Sequence, residues 1–210
     1  MIRLIIADDH PVVREGLKRI IANYKDIQLV GEAVNGDEVL ALCAKPGADV
    51  LLLDISMPGL GFLEILHRIE AKHPMIRTLV LSIHTESHYV IRAIKAGAAG
   101  YLTKNHSPEE LAHAIHQVHA GNSYVSPALA DTLVTALQTN KGVQPHQQLS
   151  DREYQVLGLI GSGKDTSGIA MALSLSPKTI GTYRARIQMK LGLKSTAELI
   201  RYALDNKITQ

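Results

Sequence analysis

The chain has 210 residues, 46% of them hydrophobic and 20% charged, with a net charge of +2 and a single cysteine, Cys43. That length accommodates one large or two small domains, each with its own core, while a lone cysteine excludes an intramolecular disulfide and a thiolate metal cluster and fits a reducing compartment. No apolar run approaches the roughly 20 residues of a membrane span, and no basic region followed by a cleavable apolar segment opens the sequence, so a soluble, cytoplasmic protein with no membrane contact is expected.

In chain order, apolar runs bounded by turn residues occur at 3–8, 27–34, 48–54, 76–82 and 98–104. Segments with helical spacing fill the intervals at 11–23, 36–45, 62–72, 86–96 and 107–120, the last opened by Ser107-Pro108-Glu109-Glu110, a capping box with Pro in the first turn. Near-continuous apolar strands alternating with helices predict an α/β domain over 1–122: a five-stranded, parallel, doubly wound sheet with right-handed crossovers. Ligands of such sheets sit at the carboxyl ends of the strands.

Residues 126–138 read as one more helix and the polar stretch 139–148, TNKGVQPHQQ, as a flexible linker, so 123–148 is expected to join two domains. From 149 to 210 the pattern is all-α, with four short helices. Ser150 and Glu153 form one capping box, Ser195 and Glu198 another, and Ser176 precedes Pro177 as cap and first turn. Charge follows the same division: residues 1–125 carry 12 Lys/Arg against 14 Asp/Glu, and residues 150–210 carry 9 against 5. A basic excess in the second domain is compatible with a polyanionic partner.

The stretch GLIGSGKDT at 158–166 places Gly158, Gly163 and Lys164 at the spacing of a phosphate-binding loop. Such a loop needs a strand before it and a helix after it. Here a capping box precedes it, and Val156, Leu157 and Ile160 carry helical spacing, so a helix is expected to end at Gly161 and Gly163 in a left-handed turn, with Asp165 capping the next. Asp165 also stands where a Mg²⁺-ligating hydroxyl belongs. The match is read as accidental.

Three carboxylates end predicted strands: Asp8 and Asp9 after the first, Asp54 after the third. Those strands are neighbours in a doubly wound sheet, so the acids converge. Clustered carboxylates repel, and a hard divalent cation relieves the repulsion through oxygen ligands. Ser82 ends the fourth strand and Lys104 follows the fifth, adding a hydroxyl and an ammonium to one rim. Together these suit phosphoryl transfer to a carboxylate, with metal and lysine neutralising charge that develops on the phosphoryl oxygens. For any single acid the plainer account is a cap or turn residue; the convergence of five residues from four strand ends argues against it.

With ADDHP, LLLDISMPG, the Leu-Ser pair at 81–82, AGAAGYLTK and a helical tail, the chain resembles a response regulator of two-component signalling, of the NarL/FixJ class with a LuxR-type output domain. The resemblance implies that Asp54 accepts a phosphoryl group from a sensor histidine kinase. It implies further that Asp9, Asp54 and the backbone carbonyl of Ser56 ligate Mg²⁺ or Mn²⁺, with Asp8 acting through water. Ser82 and Lys104 would contact the phosphoryl group, and Tyr101 would reorient on activation. Two departures stand out: the run after Met57-Pro58-Gly59 is Leu60, Gly61, Phe62, with Phe62 in place of a glycine, and Lys104 is followed by Asn105 where many receivers have proline. An aspartyl-phosphate phosphatase shares the chemistry but needs a second acid at position 56, which is serine.

Residues 165–192 resemble a LuxR-type helix-turn-helix, with the turn over Leu173 to Ser176. Ile169, Ala170, Leu173, Ile180, Ile187 and Leu191 are expected to face the core, and Lys178, Thr182, Arg186 and Lys190 the opposite side, with Tyr183 and Arg184 flanking. With Thr179 these form the expected contact set for the major groove of double-stranded promoter DNA. Gly181 and Ala185 have no hydrogen-bonding side chain, so single-site specificity is limited and a phosphorylation-promoted homodimer is expected, with RNA polymerase a further candidate partner. A receiver signalling only through protein contacts is the alternative. Among ten histidines, His113, His116 and His119 recur every three residues but read as a solvated helix face. His10 reads as part of its loop and Cys43 as a small core residue.

Overall fold

Strand pairing in the amino-terminal half follows directly from the alternation of apolar runs and helices. The computed structural model of the chain describes residues 1–83, 87–127, 129–130, 145–173 and 175–208. It divides into two compact units, Met1–Thr139 and Asn140–Gln210. In the first, β1 (Ile2–Ala7), α1 (Pro11–Ile21), β2 (Ile27–Ala33), α2 (Gly36–Cys43), β3 (Val50–Asp54), α3 (Phe62–Lys72), β4 (Arg77–Ser82), α4 (Ser87–Lys95), β5 (Gly100–Thr103) and α5 (Pro108–His119) succeed one another. Each of the five predicted strands and the five helices that alternate with them is present, with ends that differ by a few residues at most.

A sixth strand, β6 (Tyr124–Val125), adds to this alternation, so the sheet order is β2-β1-β3-β4-β5-β6 and every pairing is parallel. The expectation of five strands is corrected. Two residues are too few to produce a period, and β6 exists because the chain after α5 runs along the edge of β5, where the Tyr124 amide donates to the Ala99 carbonyl and the Ser126 amide to the Tyr101 carbonyl. That approach depends on Gly100, where an added Cβ would lie 2.6 Å from the Tyr124 carbonyl oxygen and 2.9 Å from a methyl of Leu79.

Alternation along the strands buries both faces. Leu4, Ile6, Leu52, Leu79, Leu81 and Leu102 pack with Leu17 and Ile21 of α1 and Leu111, Ile115 and Val118 of α5. On the other strand positions Ile5, Leu51, Leu53 and Val80 are also buried. Cys43 is buried as expected, and burial pushes its thiol up to about 11. Phe62, one of the departures noted above, is a buried first residue of α3. The turn before it is made by Gly59, at φ +86°, and Leu60 packs so closely on Gly36 that a Cβ there would lie 2.7 Å from the Leu60 Cβ. No cis peptide bond occurs among the described residues, so Lys104-Asn105 is trans.

The second unit contains a 3₁₀ turn (Pro145–Gln148) followed by α6 (Asp151–Gly161), α7 (Thr166–Ala172), α8 (Pro177–Leu191) and α9 (Thr196–Asp205). Residues 145–148 were expected as linker. They fold instead because His146 is buried between Tyr154 and Tyr202, its Nδ1 3.0 Å from the Tyr202 hydroxyl. The rest of the expected linker and most of the helix expected over 126–138 lie outside the described residues. Caps stand where the sequence places them: Ser150, Asp165, Ser176 and Ser195 each accept an amide of the following first turn. The reciprocal box closes at Ser150 and Glu153. At the other two, the Glu198 carboxylate accepts from the Lys194 amide and that of Glu110 from the Tyr124 hydroxyl. No described helix is long and apolar enough to cross a membrane.

Gly100→Ala is expected to destabilise the first unit by about 1–3 kcal/mol, because the new methyl meets a backbone oxygen that cannot move without breaking the β5–β6 pairing. Urea unfolding followed by circular dichroism measures it.

Candidate functional site

The register of β1 on β3 sets Ala7 opposite Leu53, which brings Asp8, one residue past β1, to the side of Asp54 at the end of β3. Both carboxylates are almost wholly shielded, with 1% and 2% of their surface exposed, whereas the Asp9 side chain retains 32%. Lys104, just past β5, reaches across, its Nζ 2.7 Å from Asp8 Oδ2 and 3.1 Å from Asp54 Oδ2. The Asp8 loop is held from behind. Its carbonyl accepts a hydrogen bond from Arg14 Nη1 at 2.7 Å, and its Oδ1 accepts one from the His10 amide at 2.8 Å.

Burial pushes the Asp54 carboxyl above the usual carboxylate range; Asp8 adds to the shift, while Lys104 and the Ser56 amide oppose it without cancelling it. Lys104 feels the reverse balance. Burial alone would lower its pKa, but Asp8 and Asp54 raise it above the ordinary lysine value, so the ammonium stays charged. One lysine does not neutralise three acids, and Asp9 Oδ1 and Asp54 Oδ2 are buried without an aligned hydrogen bond. Asp8, Asp9, His10 and Asp54 each offer a donor atom within 4.8 Å of the others. Carboxylate oxygens at that spacing fit a hard divalent cation such as Mg²⁺ or Mn²⁺.

Ser82 ends β4 and its carbonyl accepts the Lys104 amide at 2.7 Å; its side chain is fully buried, as is the ring of Tyr101. The expected rim of Asp8, Asp9, Asp54, Ser82 and Lys104 therefore assembles at one end of the sheet. His10, which its sequence position assigns to the loop, lies with its ring against Asp8 and Asp9. No spacing rule marks it, because it is adjacent in sequence and only the turn of the chain decides where it points. His113, His116 and His119 do not converge: His116 Nε2 lies 2.6 Å from Asp26 Oδ2 and His113 rests edge-on against Tyr124.

In the second unit, residues 158–166 are the end of α6 and the start of α7. Gly158 and Gly161 are helical, Gly163 has φ +79°, and Asp165 caps Gly168. No strand leads into this turn, so it is no phosphate loop. Ile169, Ala170, Leu173, Ile180 and Ile187 are buried as expected, and Leu191 is half-buried.

Along α8, Lys178, Thr182 and Arg186 are exposed, and Thr179, Tyr183 and Arg184 are half-buried. Thr179 joins the cap, its hydroxyl 2.8 Å from that of Ser176. The Thr182 hydroxyl donates to the Lys178 carbonyl at 3.2 Å, which leaves its oxygen free only as an acceptor. Lys190 is exposed but paired: Nζ lies 2.6 Å from Glu153 Oε2 and 3.3 Å from the Gln148 carbonyl. A pair 37 residues apart in the chain leaves no trace in helical periodicity.

Residues 4–116 match the family described as response regulator receiver domain, and residues 147–203 match the bacterial regulatory proteins of the luxR family. The chain belongs to the response regulator family. Its two parts are those of a DNA-binding regulator of transcription. This response regulator is 36% identical to response regulator UvrY of Escherichia coli strain K12 over 205 residues, which covers 97% of this chain and 94% of that one. It is 38% identical to response regulator GacA of Pseudomonas aeruginosa, again over 205 residues, with 97% and 96% covered. Among solved structures, RcsB of Salmonella enterica serovar Typhimurium, bound to promoter rprA in the presence of a phosphomimetic, matches with a TM-score of 0.70 at 25% identity, covering 96% and 97% of the two chains. A structure of two RcsB dimers bound to two parallel DNAs matches at 0.61, also at 25% identity, covering 98% of each.

Glu153 is 3% exposed. Burial tends to raise its pKa, but Lys190 and Ser150 hold it below the ordinary 4.5, so the carboxylate contributes stability above that pH, and the contribution is lost as pH falls through the folded value. Lys190→Ala is expected to cost about 1–3 kcal/mol at pH 7 and progressively less below the ordinary glutamate range. Urea titrations of the response regulator at neutral and acidic pH measure both.

Proposed function

We propose that this response regulator receives a phosphoryl group on Asp54 from the phosphohistidine of a sensor histidine kinase and that the modified form binds promoter DNA as a pair of chains. What carries the reading is the convergence of Asp8, Asp9 and Asp54 around Lys104 at the carboxyl edge of the sheet. An Asp54 carboxylate oxygen attacks phosphorus as the phosphorus–nitrogen bond of the donor breaks, leaving an acyl phosphate and a free histidine. A later water attack returns the carboxylate and inorganic phosphate, so the chain turns over its own modification without acting on other substrates.

Asp8, Asp9, Asp54 and the Ser56 carbonyl would hold Mg²⁺ or Mn²⁺, which when bound supplies positive charge to the phosphoryl oxygens. Lys104, already between Asp8 and Asp54, supplies a second cation, and the Ser82 hydroxyl a hydrogen bond. Because Ser82 and Tyr101 are buried beside one another's strands, an added dianion at Asp54 would reach the sheet's far edge through them. Residues 1–122 form the receiver and 149–210 the output domain in this reading, joined by 123–148, and the protein works in the cytoplasm. RNA polymerase is the target of the bound pair in this reading.

On α8, Lys178, Arg184 and Arg186 would meet phosphates. Thr182 faces the groove between Gly181 and Ala185. With its proton committed to the helix, Thr182 would accept from a base amine or cover a thymine methyl. Lys190, paired to Glu153, contributes less than its position on the helix suggests, and Thr179 and Tyr183 frame the contact.

Incubation with acetyl phosphate and Mg²⁺ is expected to label the wild-type protein stoichiometrically, and Asp54→Asn or chelation of the metal to abolish labelling; labelling that survives either change overturns the assignment. In mobility shifts over a range of salt, Lys178→Ala and Arg186→Ala should each flatten the slope of log K against log salt by about one unit on any sequence. Thr182→Ala should cost about 1 kcal/mol on the cognate site and little on random DNA. The shifted species is expected to contain two copies.

A further inference from the structure

Met189, on α8, is 80% exposed and has no part in the contact set described above. A lone exposed methionine means little. This one stands in a row with Lys178, Thr182, Ala185 and Arg186, all exposed, on the side of the helix opposite the buried Ile180 and Ile187. It lies about two turns, or about 10 Å, beyond Thr182. Charge is tied up at this end of the helix. The Lys190 ammonium is held by Glu153 Oε2 at 2.6 Å and by the Gln148 carbonyl at 3.3 Å. The final carbonyls are closed off by Gly192, left-handed at φ +69°: its amide donates to the Met189 carbonyl, and the Leu193 amide donates to the Gln188 carbonyl. Past Arg186, the row therefore continues in an apolar side chain.

We infer that Met189 is a specificity-determining residue whose thioether chain covers the 5-methyl group of a thymine, about three base pairs along the major groove from the base beneath Thr182. The inference rests on the reading of α8 as the groove helix made above. Apart from that methyl, the base edges in the major groove are hydrogen-bond donors and acceptors. An apolar side chain lowered onto them strips their water without replacing it, unless a thymine lies beneath. Methionine suits the task, since it is unbranched, polarizable and able to adapt its torsions to an uneven surface. Gly181 and Ala185 have no such reach, so the discrimination that the middle of the helix lacks is supplied from its end.

The test uses the full-length chain treated with acetyl phosphate and Mg²⁺, and the tightest duplex that the wild type recovers from a random pool. Thymines of that duplex are replaced one at a time by uracil, which lacks only the methyl group. At one thymine per half-site, uracil should weaken the wild type and Thr182→Ala alike by about fourfold. Met189→Ala should bind the unmodified duplex about fivefold more weakly, be indifferent to uracil at that position, and bind random DNA within about twofold of the wild type. Its salt slope should match that of the wild type, because no charge is lost. Met189→Leu, which keeps the apolar bulk, should stay within about twofold of the wild type. Equal losses by Met189→Ala on selected and random DNA overturn the inference in favour of a sugar contact, and loss of the second copy from its shifted species overturns it in favour of a contact between chains. Unchanged affinity of Met189→Ala, or the same uracil response in it as in the wild type, also overturns it. A wild type that recovers no duplex better than random DNA overturns the groove reading of α8 as well.

Discussion

Two carboxylates with almost no exposed surface, Asp8 and Asp54, lie side by side at the ends of neighbouring strands. Like charges in a desolvated setting repel strongly, and burial together with Asp8 raises the pKa of the Asp54 carboxyl. The arrangement persists because Lys104 lies between them and because the Asp8 loop is fixed by Arg14 and the His10 amide. A site so charged fits a divalent cation. Its chemistry therefore depends on a repulsion that the sheet prevents from relaxing.

The same connections tie the site to the interior. The Lys104 amide is bonded to the last carbonyl of β4, so the lysine that touches Asp54 is also part of the β4–β5 edge. Tyr101, on the strand that leads into Lys104, is fully buried in this structure, and its neighbour Gly100 admits the close approach of β6. The edge beside Asp54 is thus closely packed, and packed cores respond to a perturbation by shifting between arrangements rather than by deforming smoothly.

In the second unit the two tasks of α8 are divided between residues. Ile180 and Ile187 bury one side, and Lys190 is drawn to Glu153, the residue that also caps α6. That ion pair fixes the far end of α8 against the start of α6. Lys178, Thr182 and Arg186 stay exposed on the side away from those two isoleucines.

Much of this was legible in the residues themselves. Apolar runs at the right lengths announce five parallel strands, strand-end acids announce a cluster, and Ser-x-x-Glu patterns and Pro in first turns announce helix starts, because each depends on near neighbours in the chain. The glycines of GLIGSGKDT were separable from a phosphate loop for the same reason: the helix before them is local. What only the tertiary structure decided involves partners far apart in sequence or choices between two local options. The strand at Tyr124 and Val125 is made by an edge it happens to reach, the folding of 145–148 by Tyr202, the pairing of Lys190 by Glu153, and the direction of the His10 ring by the turn that brings it against Asp8 and Asp9. Periodicity encodes which face of an element is apolar; it does not encode which of several polar groups meets another across the fold, since that follows from the packing of the apolar faces.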